Sequence, residues 1–187
     1  DDLGRDSAGR LADVLRRRLE RVSEEGRRLL EVATIAGPDF DPELTGEAAG
    51  LGADAARAAV ADLVAARLVS PSARGRHALV HDQLRQLLLA DLEPEVRAQS
   101  HLLLARVLEA RAAASPSGAR RHATELARHV VEAGDVAGAL RWLPEAVRQW
   151  RLSGNIAEAL GCLRSFLAFF ERLPREERHR RVREALD

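Results

Sequence analysis

Apolar residues recur every three or four positions through most of this chain, a period typical of amphipathic helices that bury one face. The pattern predicts helices over residues 10–22, 23–36, 55–67, 82–92 and 94–112. A further short helix is expected to start around residues 39–42 and to end at Gly50 and Gly52. Residues 1–8 lack the period, so we expect them to form an irregular lead-in.

Several of these helices carry capping signals. Ser23 precedes Glu24 and Glu25, and a hydroxyl followed by acids is a common helix start because both complement the free N–H groups. Asp54 is likewise predicted to cap the helix that follows it. The pair Gly37-Pro38 is predicted to end the second helix, since neither residue favours its continuation.

One stretch has the character of strands rather than helices. Residues 68–70 (LVS) and 76–80 (RHALV) are short apolar segments on either side of residues 71–75 (PSARG), which are typical of a turn. These segments predict a two-stranded hairpin. Three helices followed by a hairpin is the winged-helix order, so we predict a mostly α protein with a winged-helix domain over residues 23–92.

The last third of the chain contains a weak internal repeat. Residues 134–140 (GDVAGAL) recur twenty positions later as residues 154–160 (GNIAEAL). Each copy opens with a glycine suited to end one helix in the left-handed conformation, and then Asp135 or Asn155 is expected to cap the next helix. We interpret residues 119–187 as antiparallel, tetratricopeptide-like repeats. Residues 93–118 are the predicted connecting helix and linker, with the domain boundary at residues 113–118 (AASPSG).

The charge balance excludes several classes of protein. The chain has 187 residues with 29 basic and 29 acidic side chains, so it lacks the basic field of a dedicated nucleic-acid or membrane-surface binder. Every basic residue is arginine, which excludes lysine chemistry such as a phosphate-loop lysine or a Schiff base. No uncharged run is long enough to span a membrane. We expect a cytoplasmic protein and, because Met is absent, a processed product or a piece of a longer one.

The inventory of reactive side chains contains no recognisable catalytic set. There is no glycine-rich phosphate loop, and most acidic residues have an arginine three or four positions away, as in solvated surface ion pairs. The single Cys162 excludes an internal disulfide and is expected to be a buried structural thiol. We therefore predict no catalytic residues and no metal site.

The six histidines of the chain are residues 77, 81, 101, 122, 129 and 179. His77 and His81 have the spacing that could face one metal on a helix, but His77 falls on the predicted strand, which disfavours that use. His101 lies beside an apolar stripe and is expected to pack at the edge of the core. His122 and His129 are seven positions apart on one helical face, and we predict that both lie at the surface.

Winged helices often read DNA, and here the recognition helix would be residues 54–67 (DAARAAVADLVAAR). Reading base edges requires side chains such as Arg, Asn or Gln, and only Arg57 and Arg67 are of this kind. Asp54 and Asp62 would face phosphates unfavourably, although the pair Arg74 and Arg76 in the wing could touch the backbone. An alanine-rich helix of this kind favours packing against another protein domain.

Residues 11–109 resemble the segment that follows the nucleotide-binding core in bacterial signal-transduction (STAND-class) ATPases, which include large LuxR-type regulators and relatives fused to adenylate cyclases or kinases. Residues 33–40 (ATIAGPDF) resemble the family's A-x-x-G-x-x-F. Residues 63–69 (LVAARLV) resemble its L-x-x-x-G-L-[LV], with Arg67 where glycine is usual, and residues 76–82 (RHALVHD) resemble its F-R-H-A-L-V-R-E. Residues 97–109 resemble the next helix, and the GD and GN steps resemble the helical repeats after it.

The resemblance implies a regulatory role without catalysis in this chain. Residues 1–22 would be the end of an upstream ATPase lid region, and ATP or ADP would bind the parent protein rather than this segment. In related ATPases a histidine near the helix after the wing senses the ADP phosphate, and either His77 or His81 fits that motif in a different register. The implied partners are the upstream nucleotide-binding domain and an inducer protein or small molecule on the repeats, with no nucleic acid or membrane. The alternative is a DNA-binding winged-helix transcription factor.

Overall fold

A computed structural model describes residues 13–115 and 117–186, with side chains up to residue 183. The chain is mostly helical, with one small antiparallel sheet. It divides into two compact units between Val96 and Arg97. The predicted lead-in at residues 1–8 and the predicted start of the first helix at residue 10 lie outside the described residues.

The first unit alternates helices with three very short strands. Its elements are α1 (described over residues 13–19), α2 (Glu24–Ala36), β1 (Asp39–Phe40), α3 (Pro42–Ala48), α4 (Ala53–Ala65), β2 (Val69–Pro71), β3 (His77–Leu79) and α5 (Asp82–Asp91), with a 3₁₀ turn at Ala73–Gly75. Helix α2 lies at the centre and packs against α3, α4 and α5. Its Leu29 and Leu30 are buried, as are Leu63 of α4 and Leu84 of α5.

The sheet has three strands where the sequence predicted two. Strand β3 lies in the middle and pairs antiparallel with β2 on one side and with β1 on the other, where Phe40 stands opposite His77. The prediction of a two-stranded hairpin was therefore incomplete. Strand β1 is two residues long and lies between two prolines, so it has no alternating pattern of its own. The segment forms a strand because it pairs with β3.

Two predicted caps have opposite outcomes. Ser23 is confirmed as the N-cap of α2, because its hydroxyl accepts a hydrogen bond from the Gly26 N–H. The prediction that Asp54 caps α4 is wrong. Helix α4 begins at Ala53 after Gly52, so Asp54 lies inside the first turn, where its charge still suits the helix dipole.

Arg67 occupies the position where the resembling family has glycine. Its backbone φ is 56°, in the left-handed region that favours glycine over residues with a Cβ. The chain leaves α4 there and turns into β2. The Arg67 carbonyl accepts a hydrogen bond of 3.2 Å from the Arg18 guanidinium. Arg67, which stands where the family's pattern has glycine, is therefore in a strained backbone conformation.

The second unit is helical throughout its described part. It contains α6 (Pro94–Ala113, whose first turn belongs to the first unit), α7 (Gly118–Glu132), α8 (Val136–Ser153), α9 (Ile156–Arg172) and α10 (Arg175–Leu186). Helix α8 packs against α7, α9 and α10. The division between the units falls inside α6, whereas the sequence places the boundary at residues 113–118. The reason is that α6 buries a long face, including Leu104 and Leu108, in the second unit.

The repeated glycine steps match the prediction in the backbone. Gly134 and Gly154 both have positive φ, of 71° and 78°, and each ends a helix. Asp135 caps α8 by accepting a 3.0 Å hydrogen bond from the Gly138 N–H. Asn155 occupies the predicted N-cap position of α9, but its side chain makes no capping hydrogen bond.

None of the helices in the described part of the chain is both long enough and apolar enough to cross a membrane.

Candidate functional site

His77 lies on the central strand β3, half-buried in the first unit. Its ring is tilted against Phe40, with ring centroids 6.2 Å apart. The Nδ1 atom is buried, and it has no hydrogen-bond partner among the described residues. A buried, unpartnered nitrogen is costly, so this atom is a weak point in the packing of the sheet.

His81 is the N-cap residue of α5 and is also half-buried. Its side chain makes no capping hydrogen bond, while its carbonyl accepts from the Leu84 N–H at 3.0 Å. The start of a helix favours anions because its N–H groups are unpaired and its dipole is positive there. His81 is therefore better placed than His77 to meet a negatively charged group.

The two histidines do not share a helix, since one is on β3 and the other begins α5. Their four-residue spacing therefore does not bring both histidines to one face of a helix, as binding a shared metal ion there would require. No group of three or more His, Cys, Asp or Glu residues is placed to hold a metal ion within the described ranges.

Around these histidines, hydrogen bonds connect the sheet and α5 to the rest of the unit. Arg76 holds Asp39 of β1 twice, through Nε to the carboxylate at 2.6 Å and through Nη2 to the carbonyl at 2.7 Å. The Arg85 Nε of α5 donates to the Thr34 carbonyl of α2 at 3.1 Å. A movement of α5 would therefore be transmitted through this hydrogen bond to α2, the central helix of the unit.

Helix α4, the candidate recognition helix, exposes mainly alanine. Its solvent-facing positions are Ala53, Asp54, Arg57, Ala58, Ala61 and Ala65. Arg57 forms an ion pair with Asp54 of the preceding turn. Within the described residues, this face offers no Asn, Gln or unpaired Arg on the helix itself for base edges.

Three further expectations about DNA contacts change with the structure. Asp62 does not face outward to repel phosphates: its Oδ2 accepts from the N–H and the hydroxyl of Ser23, both at 2.7 Å. Arg67 lies beyond the end of α4. Of the two wing arginines, Arg76 is engaged by Asp39, while Arg74 is exposed on the 3₁₀ turn.

A buried histidine pair in the second unit was not expected from the sequence. The Nδ1 atoms of His101 on α6 and His129 on α7 are 2.8 Å apart, and both side chains are buried. The Arg128 Nη2 atom lies 3.1 Å from the Nε2 atom of His129. The prediction for His101 is confirmed, whereas the prediction that His129 lies at the surface is wrong, because it is completely buried.

The hydrogen bonds of this pair determine which ring nitrogen carries the proton in each histidine. Arginine can only donate, so His129 accepts at Nε2 and, when neutral, carries its proton on Nδ1. His129 therefore donates to His101, which accepts at its own Nδ1. Burial, followed by the charges of Arg128 and His101, lowers the pKa of His129 well below its ordinary value. The imidazole is consequently neutral at physiological pH.

The sequence did contain one signal for this burial. His129 follows Leu126 by three positions and precedes Val130, and both of these residues are buried. A seven-residue spacing to His122 placed His129 on a polar face, but the buried arc of α7 is wide enough to include it. The wide arc arises because α6, through His101, and α8 both meet α7.

Cys162 is half-buried, whereas the sequence predicted a buried thiol. Burial, with a further contribution from Glu132, raises the pKa of its thiol to about 11. The thiol is therefore protonated at neutral pH and is a poor nucleophile.

Comparison with known proteins adds no identification. Neither protein-family models, nor curated proteins, nor solved structures yielded a match to this chain.

Proposed function

We propose that this chain is a non-catalytic regulatory region of a cytoplasmic signal-transduction ATPase or transcription regulator. In this proposal residues 23–92 are a winged-helix module and residues 119–187 are tetratricopeptide-like repeats. The region couples the nucleotide state of an upstream ATPase domain, together with binding of an inducer protein or small molecule to the repeats, to an output. ATP or ADP belongs to the parent protein.

The order of elements in the first unit supports the winged-helix assignment. Helix α2 is followed by β1, then by α3 and α4, and finally by the β2–β3 hairpin. The strand between the first two helices pairs with the second strand of the hairpin, giving the order β1-β3-β2. One face of α4, which includes Ala58 and Ala61, is exposed.

The observation that carries the functional proposal is the chemistry of that exposed face. A surface built from Ala58, Ala61 and Ala65 can pack closely against another protein surface, because these three positions carry only methyl groups. The same surface has little to offer a DNA groove, where long polar side chains must reach the bases. Contact between α4 and a neighbouring protein domain, such as the ATPase core, is therefore favoured.

The glycine steps of the second unit support the repeat assignment. Gly134 and Gly154 reverse the chain at equivalent positions, and α8 packs against both the preceding helix and the two that follow. Helical pairs stacked in this way create extended surfaces that bind peptides, proteins or small molecules. Inducer binding is accordingly assigned to this unit.

His81 is the better candidate for the nucleotide-phosphate sensor. It stands at the start of α5, where an anion is favoured, and α5 is tied to α2 by the bond from Arg85 to Thr34. His77 is packed against Phe40, and its Nδ1 atom is enclosed. We expect His81→Gln to weaken ADP binding to the parent protein, and His77→Gln to change it less.

The decisive experiment compares two alanine-to-arginine variants in the full-length parent protein. Ala61→Arg places a long charged side chain on the exposed face of α4, and Ala110→Arg makes the same change at an exposed position of α6. We expect Ala61→Arg to alter the rate of ATP hydrolysis or its dependence on inducer, while Ala110→Arg has the parent's behaviour. Equal behaviour of both variants, or a parent protein without a phosphate loop, would overturn the proposal.

The alternative, a DNA-binding winged-helix transcription factor, is tested by a gel shift across a salt series. DNA binding through phosphates weakens steeply as salt increases, because each contact releases counterions. A specific shift with a steep salt slope, lost in Arg57→Ala and Arg74→Ala, would favour that alternative over the regulatory proposal.

A further inference from the structure

The end of α9 and the face of α10 enclose a groove that no other assignment uses. The cavity has a volume of about 550 Å³ and is lined by Phe170, Arg175, Arg178, His179, Val182 and Arg183. Its volume falls within the range of small-molecule sites, which is roughly 300–1,000 Å³. We refer to it as the α9–α10 groove.

The spacing of the lining residues explains why cations converge there. Arg175, Arg178 or His179, and Val182 or Arg183 follow one another at three- and four-residue steps, so they share one face of α10. Opposite them, Phe170 near the end of α9 supplies an aromatic surface. The groove therefore joins an apolar floor to a cationic rim, and no Asp or Glu lines it.

Glu177 of α10 pairs with arginines, but its partners are not the arginines that line the groove. Glu177 accepts from the Arg181 Nε at 2.7 Å and also pairs with Arg180, and neither of these arginines lines the groove. Among the described side chains, Arg175, Arg178 and Arg183 form no ion pair. Three guanidinium groups without an internal partner leave a concentrated positive charge beside an aromatic ring.

We propose that the α9–α10 groove binds a small organic phosphate, with the phosphate held by Arg175, Arg178 and Arg183 and a planar or apolar group resting on Phe170 and Val182. Arginine suits this ligand because its planar fork binds a phosphate through two hydrogen bonds. The apolar floor selects an esterified phosphate over inorganic phosphate, since the ester group leaves water when it binds. The size of the groove favours a small molecule over a nucleic acid or a long peptide.

This inference rests on the proposed function in one respect, because it names the chemical class of the inducer on the helical repeats. Direct binding to the groove and coupling to ATP hydrolysis are separate measurements. Failure of the first removes the organic phosphate and leaves the role of α4 in place. Failure of the Ala61→Arg experiment removes the regulatory role and leaves the groove as a ligand site.

The test is isothermal titration calorimetry on this chain at low ionic strength with four probes: inorganic phosphate, phenyl phosphate, AMP and an Asp/Glu-rich peptide. We expect phenyl phosphate to bind about tenfold more tightly than inorganic phosphate, since burying a phenyl group is worth well over 1 kcal/mol. AMP binding more tightly than phenyl phosphate would identify a nucleotide as the ligand, and the reverse order would identify a simple aryl or alkyl phosphate.

Matched variants locate the binding. Arg178→Gln, in the middle of the groove, is expected to weaken phenyl phosphate binding about tenfold or more, because it removes a charge-assisted hydrogen bond. Arg164→Gln on α9 removes an equal charge at an exposed position outside the groove and is expected to change the affinity less than about twofold. Phe170→Leu should reduce the preference for phenyl phosphate over inorganic phosphate without weakening the latter.

Three results would overturn the proposal. The first is equal binding of inorganic and phenyl phosphate by the unsubstituted chain. The second is equal weakening by Arg178→Gln and Arg164→Gln, which would indicate general surface charge. The third is preferential binding of the acidic peptide, which would make the groove a protein-docking site. Should Arg178→Gln fail to fold, as judged by its thermal unfolding, Arg183→Gln at an exposed part of the rim takes its place.

Discussion

The buried His129 makes the stability of this chain sensitive to mild acid. In the folded state His129 is completely buried, donates to His101 and accepts from Arg128, and its pKa is lowered well below 6.5. In the unfolded chain the same imidazole titrates near the ordinary histidine value of about 6.5. As pH falls below that value, the unfolded state takes up a proton that the folded state does not, so the free energy of unfolding decreases.

The size of this effect follows from the unfolded state alone while the folded imidazole remains neutral. At about pH 5.5, one unit below the ordinary pKa, protonation stabilises the unfolded chain by about 1 kcal/mol. At about pH 7.5 the same contribution is below about 0.1 kcal/mol. While the folded imidazole stays neutral over this range, His129 therefore removes about 1 kcal/mol of stability between these two conditions, and the loss ends once pH falls below the folded pKa.

Urea unfolding at both pH values measures this quantity. His129→Gln removes the titrating group, so its loss of stability between about pH 7.5 and about pH 5.5 should be smaller than that of the unsubstituted chain by about 1 kcal/mol. His179→Gln, at an exposed position, should retain the loss of the unsubstituted chain. Carboxylates and histidines that do not contact His129 contribute alike to the unsubstituted chain and to His129→Gln, and they cancel in the comparison; His101, which contacts His129 directly, is followed by the NMR measurement below.

Nitrogen-detected NMR of the imidazoles checks the same reasoning without a substitution. The hydrogen-bond chain requires the proton of neutral His129 to be on Nδ1 and that of His101 on Nε2. The opposite tautomers, or an unchanged pH dependence in His129→Gln, would refute the buried neutral pair.

Three further predictions concern backbone strain, close packing and thiol reactivity. Gly46→Ala brings a Cβ within 2.5 Å of the Ala56 Cβ and should lower the free energy of unfolding in urea by about 1–2 kcal/mol. Gly161→Ala, where nothing lies within 4 Å of the new Cβ in α9, should instead raise it by up to about 1 kcal/mol. Equal effects of the two substitutions would contradict the close approach of α3 to α4. Arg67→Gly should raise the thermal midpoint, by about 1 kcal/mol in stability, because it relieves the left-handed backbone; a lower midpoint would show that the arginine side chain matters more. At about pH 8, Cys162 should react with iodoacetamide about two orders of magnitude more slowly than free cysteine, because its pKa of about 11 leaves little thiolate; a rate like that of the free amino acid would show an accessible, ionised thiol.

The helices were predictable because their signal is local. The three- and four-residue period of apolar positions, Ser23 before α2, Pro94 at the start of α6 and the glycines at residues 134 and 154 each act within a few residues of where they lie. Their structural effect depends little on the rest of the chain. Errors at this level were small and concerned helix ends, as at Asp54, which lies inside the first turn of α4 rather than at its cap.

The candidate site was predictable only in part. The sequence singled out His77 and His81 through their spacing and through resemblance, and it placed His77 on a strand. It could not show that the Nδ1 atom of His77 is enclosed or that the side chain of His81 makes no capping hydrogen bond. Asp62 was expected to face outward, although it caps α2 from 39 residues away in sequence. The cationic rim of the α9–α10 groove was overlooked, because arginines are common on most helices of this chain. Only the approach of Phe170 at the end of α9 makes the arginines of α10 part of a groove.

The sequence by itself therefore determined the helical character, the position of the small sheet's hairpin and the absence of lysine chemistry. Those properties depend on composition and on short-range periodicity. Tertiary structure alone decided that Asp39–Phe40 becomes a third strand, that His101 and His129 share a hydrogen bond, and that Arg67 adopts a left-handed backbone. Each of these depends on which segment packs opposite, and the free energy of burial and pairing between distant segments exceeds the weak local preferences that a sequence pattern records.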